Sequence, residues 1–392
     1  MKKTNKSNKA IKYRIYPNDN QRIMFAKTFG CCRFVYNQIL ALQKERCANG
    51  EKHLSKFKTN EYTIHTLKEE YIFIKEVDKF AITNAVFNLA DAYNRFFKKQ
   101  NHLPKFKSKR KSKKSYTTNF TNNNIVIGEK EIKLPKVGYV KAVIHRLPKD
   151  NWKIKSVTVS QDCVGNFFAA VLFEYESKEV PTVSKSSTNA IGLDYKSDGL
   201  YMDNKGNKAG THKYYKESQK KLAKEQRNLS RKIGSKKGET KSNNYLKQQK
   251  KVNKIHRKIA NQRKDSLHKK STEIANQYDI VCVEDLDMKA IGNKDFGNGK
   301  ATFDNGYGMF LNMLDYKFKE RGKYFVKVDK WYPSSQICHC CGRKKKMDLN
   351  ERVYKCECGY TGDRDQNAAI NILKEGLRIL KMSIQTVKTV EI

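Results

Sequence analysis

No run of about 18 apolar residues occurs anywhere in this 392-residue chain, so nothing in it reads as a membrane span. The opening MKKTNKSNKAIKYRIYP is basic but lacks the apolar core of a secretory signal, so the expected location is cytoplasmic. Negative charge is scarce: 40 Asp and Glu stand against 81 Lys and Arg, a formal net charge of +41. That surplus strains a compact fold by self-repulsion until a polyanion neutralises it, and nucleic acid is the usual polyanion. No glycine-rich phosphate loop ending in GKT is present, which leaves an ATP-driven activity without support. No repeat of fixed period is visible. Proline is rare, with six in all and none between Pro181 and Pro333.

What is there divides by texture, and the length allows roughly two to four domains. Residues 1–10 read as a polar, basic tail. IKYRIYP then alternates as a strand does, and Asn18 and Asp19 cap a helix running through DNQRIMFAKTFGCCRFVYNQILALQKE. A second helix near 79–100 carries Ile82, Val86, Leu89, Tyr93 and Phe96 on one face as a core stripe. PKFKSKRKSKKSY, residues 104–116, holds seven basic residues and no acid. A solvated linker is the bland reading. Contact with phosphates through Lys105, Lys107, Lys109, Arg110 and Lys111 is the preferred one. From about 120 to 176 the segments NNIVIG, EIKLP, KSVTVS and FFAAVLFEY are strand-like, with a hairpin turn at Gly165–Asn166. They predict a small β-barrel or sandwich into which the earlier helices are inserted.

Beyond residue 182 strands alternate with helices: TNAIGLDY, GLYMDNKG, YDIVCV and KYFVKVD against GMFLNMLDYKFKERG, the signature of an α/β domain. Residues 213–270 interrupt that alternation as a helical pair broken at GSKKGE, with 21 Lys/Arg against four acids. So basic a pair is expected along a phosphate backbone, with Arg227, Arg231, Lys254 and Arg257 as contacts; a solvated helical arm is the alternative.

Three acids carry the chemistry. Asp194 follows the apolar strand AIGL, Glu284 follows IVCV, and Asp365 lies in GDRDQNAAINIL at the opening of a helix. Carboxylates at the ends of buried strands suit two divalent cations about 4 Å apart, which activate water and stabilise a leaving oxygen. Mg²⁺ prefers such oxygen ligands, with Mn²⁺ the alternative ion. Each acid alone reads as readily as a turn former or a helix cap; the ordered set is the signal.

Ten cysteines, in a reducing cytoplasm, stay as thiols. Five fall between Cys338 and Cys358, as C-H-C-C-G followed by C-E-C-G. Cys338, Cys341, Cys356 and Cys358 from two tight turns predict a closed, structural Zn²⁺ site, with Cys340 or His339 as substitutes. Cysteines 31, 32, 47, 163 and 282 sit among apolar residues and are expected in the core.

These motifs together resemble the transposon-encoded TnpB nucleases and the related small type V CRISPR effectors. The matching pieces are IYPNDNQ with FGCCRFVYN, PKFKSKRKSKKSYTT, GLDYKSDGLY, VEDLDMKAI, GMFLNMLDYKFKERGKYFVKVDKWYPSSQICHCCG and CGYTGDRDQNAAINIL. The resemblance covers essentially the whole chain. It implies a RuvC-like, RNase H-like α/β nuclease core (183–335 and 363–392, with the basic hairpin 213–275) interrupted by a zinc ribbon (336–362) that binds target nucleic acid. It further implies a β-barrel-like wedge module (1–18 and 115–182) with an inserted helical recognition domain (19–114). Asp194, Glu284 and Asp365 are then the catalytic acids and Asp363 a bystander. The resemblance also implies a guide RNA, a short motif beside the target, and cleavage of both DNA strands. A nuclease-inactive guided repressor and a transposase that joins strands are the rival readings.

Overall fold

In the computed structural model of the protein, residues 6–176, 183–184, 186–210, 213–236, 239–293, 299–348 and 351–389 are described, and the chain divides into two units, Met1–Lys178 and Glu179–Ile392. In the first, β1 (Lys6–Tyr16) leads into α1 (Asp19–Ala48), α2 (Lys56–Tyr62), the one-turn α3 (Lys68–Glu70) and α4 (Lys79–Phe97). Six strands follow: β2 (Lys114–Asn119), β3 (Val126–Ile127), β4 (Glu131–Leu134), β5 (Gly138–Val143), β6 (Lys153–Gln161) and β7 (Phe167–Glu176). All seven strands form one sheet in the order β2-β6-β7-β1-β5-β4-β3, with every pairing antiparallel. Strands β2 and β3 are its edges.

The start of α1 follows its sequence. Asn18 accepts from the Gln21 N–H at 2.9 Å, and the Gln21 side chain accepts from the Asn18 N–H at 3.1 Å, a reciprocal capping box. The basic tail, by contrast, is shorter than expected. Residues 6–10 are strand, paired with β7 from Lys6↔Glu176 to Ala10↔Leu172, because ladder hydrogen bonds override a composition that looks like coil. Cys47 and Cys163 also depart from expectation: both are exposed, whereas Cys31, Cys32 and Cys282 are buried. Cys47 lies in the last turn of α1, and Cys163 in the hairpin turn where the Asp162 carboxylate accepts from the Val164 and Asn166 N–H groups.

The second unit is built on β8 (Ala190–Tyr195), β9 (Tyr201–Asp203), β10 (Lys208–Ala209), α5 (Tyr214–Ser230), α6 (Asn243–Gln277) and β11 (Ile280–Glu284). Then come α7 (Met288–Ile291), α8 (Gly299–Asn305), α9 (Tyr307–Glu320), β12 (Tyr324–Val328), β13 (Val353–Lys355), β14 (Thr361–Asp363) and α10 (Arg364–Thr389). The five-stranded sheet runs β10-β9-β8-β11-β12; β8, β11 and β12 are parallel, and β9 and β10 antiparallel. Successive strand residues face opposite sides. Ile191, Leu193, Val281 and Val283 pack with Phe310, Leu314, Leu267 and Ile274 of α9 and α6, while Ala190, Ile280, Cys282 and Val328 pack with Ile372 and Leu380 of α10. A sheet covered on both faces explains why AIGL and IVCV read as continuous apolar runs.

The basic helical pair is α5 and α6, which bury Leu222 from one helix and Tyr245, Val252 and Ile259 from the other. Asp304 of α8 accepts from the Tyr215 N–H at 3.1 Å and from Arg263 at 2.6 Å, fixing the start of α5 against α6. Lys237 and Gly238, part of the expected break, lie outside the described residues. Among the described residues no helix is long and apolar enough to cross a membrane.

Candidate active site and metal centre

The parity of the strands decides where the acids go. Ala190 and Gly192 face α10, so Asp194 does too; Ile280 and Cys282 face α10, so Glu284 does too. Strands β8 and β11 are register neighbours up to Leu193↔Val283, one residue before the two acids. The third acid arrives from above the sheet. A Cβ on Gly192 would overlap the Ala369 carbonyl and the Leu373 side chain, and one on Gly376 would overlap Cys282, so α10 lies directly on the backbone of β8 and the side chain of β11. Asp365 is one helical turn before Ala369, about 6 Å along the axis. Asp194 is two residues beyond Gly192, about 6.6 Å along the strand. Both offsets run toward the same end of the sheet.

Asp194, Glu284 and Asp365 accordingly line one cavity of about 500 Å³, together with Lys330, Trp331, Tyr332, Lys344, Arg352 and Arg364. All three acids are partly exposed to it. Burial, and then the charges of Glu284 and Asp365, hold the Asp194 carboxyl well above the usual carboxylate range. Burial pushes Glu284 up to about 7. A cation beside Asp194 and Glu284 would favour their ionised forms, and an all-carboxylate donor set fits a hard divalent ion. One cation is already at hand in the chain: Lys196 Nζ donates to Asp365 and stands 3.7 Å from Asp198. Burial works against the Lys196 ammonium, but the bond to Asp365 outweighs it and raises its pKa.

Asp363 has a separate task. Its side chain accepts from the N–H groups of Asp365 at 2.9 Å and Gln366 at 3.2 Å, capping α10. With the cap supplied by its neighbour, Asp365 is left facing the cavity.

The cysteines Cys338, Cys341, Cys356 and Cys358 bring their sulfurs within 4.8 Å of one another, with Cys338–Cys358 at 3.6 Å and Cys341–Cys356 at 3.5 Å. Four thiolates about 2.3 Å from one Zn²⁺ would be about 3.8 Å apart, so the set fits a tetrahedral ion. Burial would raise the Cys338 thiol, but the backbone N–H groups of Cys341 and Cys340 bring it down to about 7. Cys340 and His339, the expected substitutes, instead pair with each other at 3.3 Å. The segment carrying the cysteine cluster is fastened to α10 by two buried asparagines. Asn367 accepts from the His339 N–H at 3.0 Å and donates to the Ile337 carbonyl at 2.7 Å; Asn371 donates to Ser334 and Ile337 carbonyls at 2.8 and 2.6 Å. Arg364 adds a bond to the Asp348 carbonyl at 2.7 Å.

Comparison with known proteins places this architecture. Three family models match: "Helix-turn-helix domain" over residues 5–52, "Probable transposase" over 172–294, and "Cas12f1-like, TNB domain" over 307–372. A Streptomyces pristinaespiralis protein named "Putative RNA-guided DNA endonuclease" is 33% identical over 376 residues, covering 94% of this chain and 89% of the relative. The chain belongs to the TnpB family. Another relative, the RNA-guided DNA endonuclease InsQ of Escherichia coli K12, whose name carries the same qualifier, is 29% identical and covers 95% of this chain and 93% of itself. A solved Cas12f1-sgRNA-target DNA complex shares the fold, with a TM-score of 0.59 at 14% identity over 94% of this chain and 98% of that one. The span matched as helix-turn-helix folds in this TnpB-family chain as one strand and one 30-residue helix.

The basic residues singled out in this TnpB-family sequence differ in their exposure. Lys105, Lys109, Arg110 and Lys111 are exposed in the first unit. Lys107 differs: it is half-buried, its Nζ lies 3.7 Å from the Tyr36 ring centre, and its backbone is gripped by Asn37 through bonds of 2.8 and 2.9 Å. In the second unit Arg227, Arg231 and Lys254 are exposed on the hairpin, whereas Arg257 is half-buried. The sequence reading missed Lys196, Trp331 and the two asparagines. Only DRDQNAAIN offered a signal, since Asn367 and Asn371 are about one turn apart and so share a helix face.

Proposed function

We propose that the protein is an RNA-guided DNA endonuclease that hydrolyses phosphodiester bonds of target DNA at Asp194, Glu284 and Asp365. The observation that carries the reading is the convergence of these carboxylates, from β8, β11 and α10, in a cavity edged by Lys330, Lys344, Arg352 and Arg364. Acids hold cations and the basic rim receives phosphates; a binding protein would need only the rim. The sheet order, with an antiparallel hairpin beside three parallel strands, supports an RNase H-like (RuvC) core over 183–335 and 363–392. We assign 336–362 as the zinc ribbon, 1–18 with 115–182 as the wedge module, and 19–114 as the helical recognition domain.

The three acids would hold a pair of Mg²⁺ ions, which when bound supply Lewis-acid activation of water and charge stabilisation at the leaving 3′-oxygen. The chain's own contributions are positional. Strands β8 and β11 fix two acids on one face, the Asp363 cap orients the helix end bearing the third, and Lys196 restrains Asp365. Base pairing with a guide RNA would supply sequence specificity, while the basic surface holds a heteroduplex by its phosphates. The test is to purify the protein with its bound RNA, sequence that RNA, and assay Mg²⁺-dependent cleavage of a matching duplex against an Asp194→Ala control. A defined RNA and acid-dependent cleavage are expected. Equal product from both proteins would refute the site, strand joining without RNA would favour a transposase, and RNA-dependent binding without cleavage a repressor.

A further inference from the structure

The cavity holds a group that the acids do not need. Trp331 is 80% exposed, the most exposed large apolar residue among those described. The chain's other tryptophan, Trp152, rests against Phe173 and Tyr175, with ring centres 5.4 and 5.0 Å away. An indole left in water forgoes one of the largest burial gains any side chain offers. Its main chain is nonetheless well held. The Trp331 N–H donates to the Asp329 side chain at 2.7 Å, and the Tyr332 N–H to the Asp329 carbonyl at 3.0 Å.

The position is set by the sheet. Val328, the last residue of β12, is the register partner of Glu284, and its carbonyl accepts from the Asp285 N–H at 2.9 Å. Trp331 follows three residues later and lines the same cavity as the acids. Lys330 Nζ sits 5.0 Å from the indole centre, and Lys344, Arg352 and Arg364 also line the wall. A flat apolar face among cations, beside carboxylates, matches the parts of a nucleotide: a ring to stack and phosphates to neutralise.

We infer that Trp331 is the platform of a nucleobase subsite that takes an unpaired base next to the phosphate held at the acids. In a duplex the faces of each base are covered by its neighbours, so only a splayed, single-stranded base can offer one to the indole. Trp331 thereby selects single-stranded over paired substrate. The inference rests on the proposed DNA-cleaving function for the identity of the strand.

The decisive measurement is local to the ring. In full-length Trp152→Phe protein, with Glu284→Gln to prevent cleavage, Trp331 is the only tryptophan emitter. Oligothymidylate is expected to quench its emission, an abasic strand of the same length to leave it nearly unchanged, and a blunt duplex to quench weakly. In the parent protein, Trp331→Ala should raise KM for a labelled single strand about 5- to 100-fold, with Trp331→Phe recovering most of the loss and the melting temperature unchanged. Equal quenching by the thymidylate and abasic strands would overturn the subsite. Base-dependent quenching in a protein that cuts no DNA would instead keep the subsite and remove the nuclease reading.

Discussion

Glu284 titrates near 7 in the folded protein and at about 4.5 as an unperturbed acid. Between those values the unfolded chain has released the proton that the folded chain retains, so folding stability falls as pH rises through the window. Above it the penalty is complete, on the order of 3 kcal/mol for a shift of that size. A divalent cation removes the penalty, because the ionised carboxylate is the form it binds. Metal-free protein should therefore melt lower at pH 8 than at pH 5.5, and Mg²⁺ or Mn²⁺ should raise the pH 8 value. Glu284→Gln should flatten both trends, measured as melting temperature with and without the ion. Lys196 makes a sharper case. Its ammonium already shares Asp365, so Lys196→Ala should destabilise the metal-free protein while tightening Mn²⁺ binding; calorimetric titration showing weaker binding would mean that Lys196 orients the acid more than it competes for it. Asp194 and Glu284 were legible because a carboxylate ending a run such as AIGL or IVCV is conspicuous. Lys196 was not: its bond to Asp365 exists only because α10 arrives beside it, a contact 169 residues away in sequence.

The element that matters most for the site is α10, since it must bring Asp365 to two strands it meets only through tertiary contact. Its closeness depends on Gly192 and Gly376. Gly192→Ala places a methyl against the Ala369 carbonyl, which cannot swing aside as a side-chain tip would. We expect a loss of at least about 2 kcal/mol, read by denaturant melting, with weaker Mn²⁺ binding in the fraction that stays folded. The other anchor is the ribbon. Asn367→Leu removes the bonds to the His339 N–H and the Ile337 carbonyl but leaves all four cysteines. Zinc content should stay at one ion per chain while affinity for Mn²⁺ at the acids drops several-fold; stripping zinc with a chelator should have the same effect on the unsubstituted protein. If Mn²⁺ affinity is unmoved by both, the ribbon is not a support for Asp365. Strands β6, β7, β8 and β11 and helices α1 and α9 could be read from periodicity and caps. The short β2 and β5 could not, because SYTT and YVKAV acquire strand character only from the neighbours they pair with.

Across the whole molecule the governing quantity is a net charge of +41, and it is not spread evenly. Residues 104–116 in one unit hold seven bases and no acid, and residues 213–270 in the other hold 21 against four. The sequence showed both concentrations, but not which lysines are free to meet a phosphate. That depends on packing: Lys107 is committed to Tyr36 and Asn37, whereas Lys109, Arg110, Arg227 and Lys254 are exposed. A lysine that neutralises a phosphate releases a counterion, and log affinity then falls against log salt by about 0.7 to 0.9 per contact. The paired substitutions Lys109→Glu with Arg110→Glu, and Arg227→Glu with Lys254→Glu, should each weaken RNA binding across unrelated sequences and lower the salt slope by about 1 to 2. Lys107→Ala should act differently, lowering the melting temperature of the first unit with little change in slope, because its role is to hold the loop. Filter binding at several salt concentrations separates these outcomes. A pair that weakens binding without changing the slope would show that its residues support the fold and meet no phosphate, and would move the electrostatic footprint to other exposed cations of that unit.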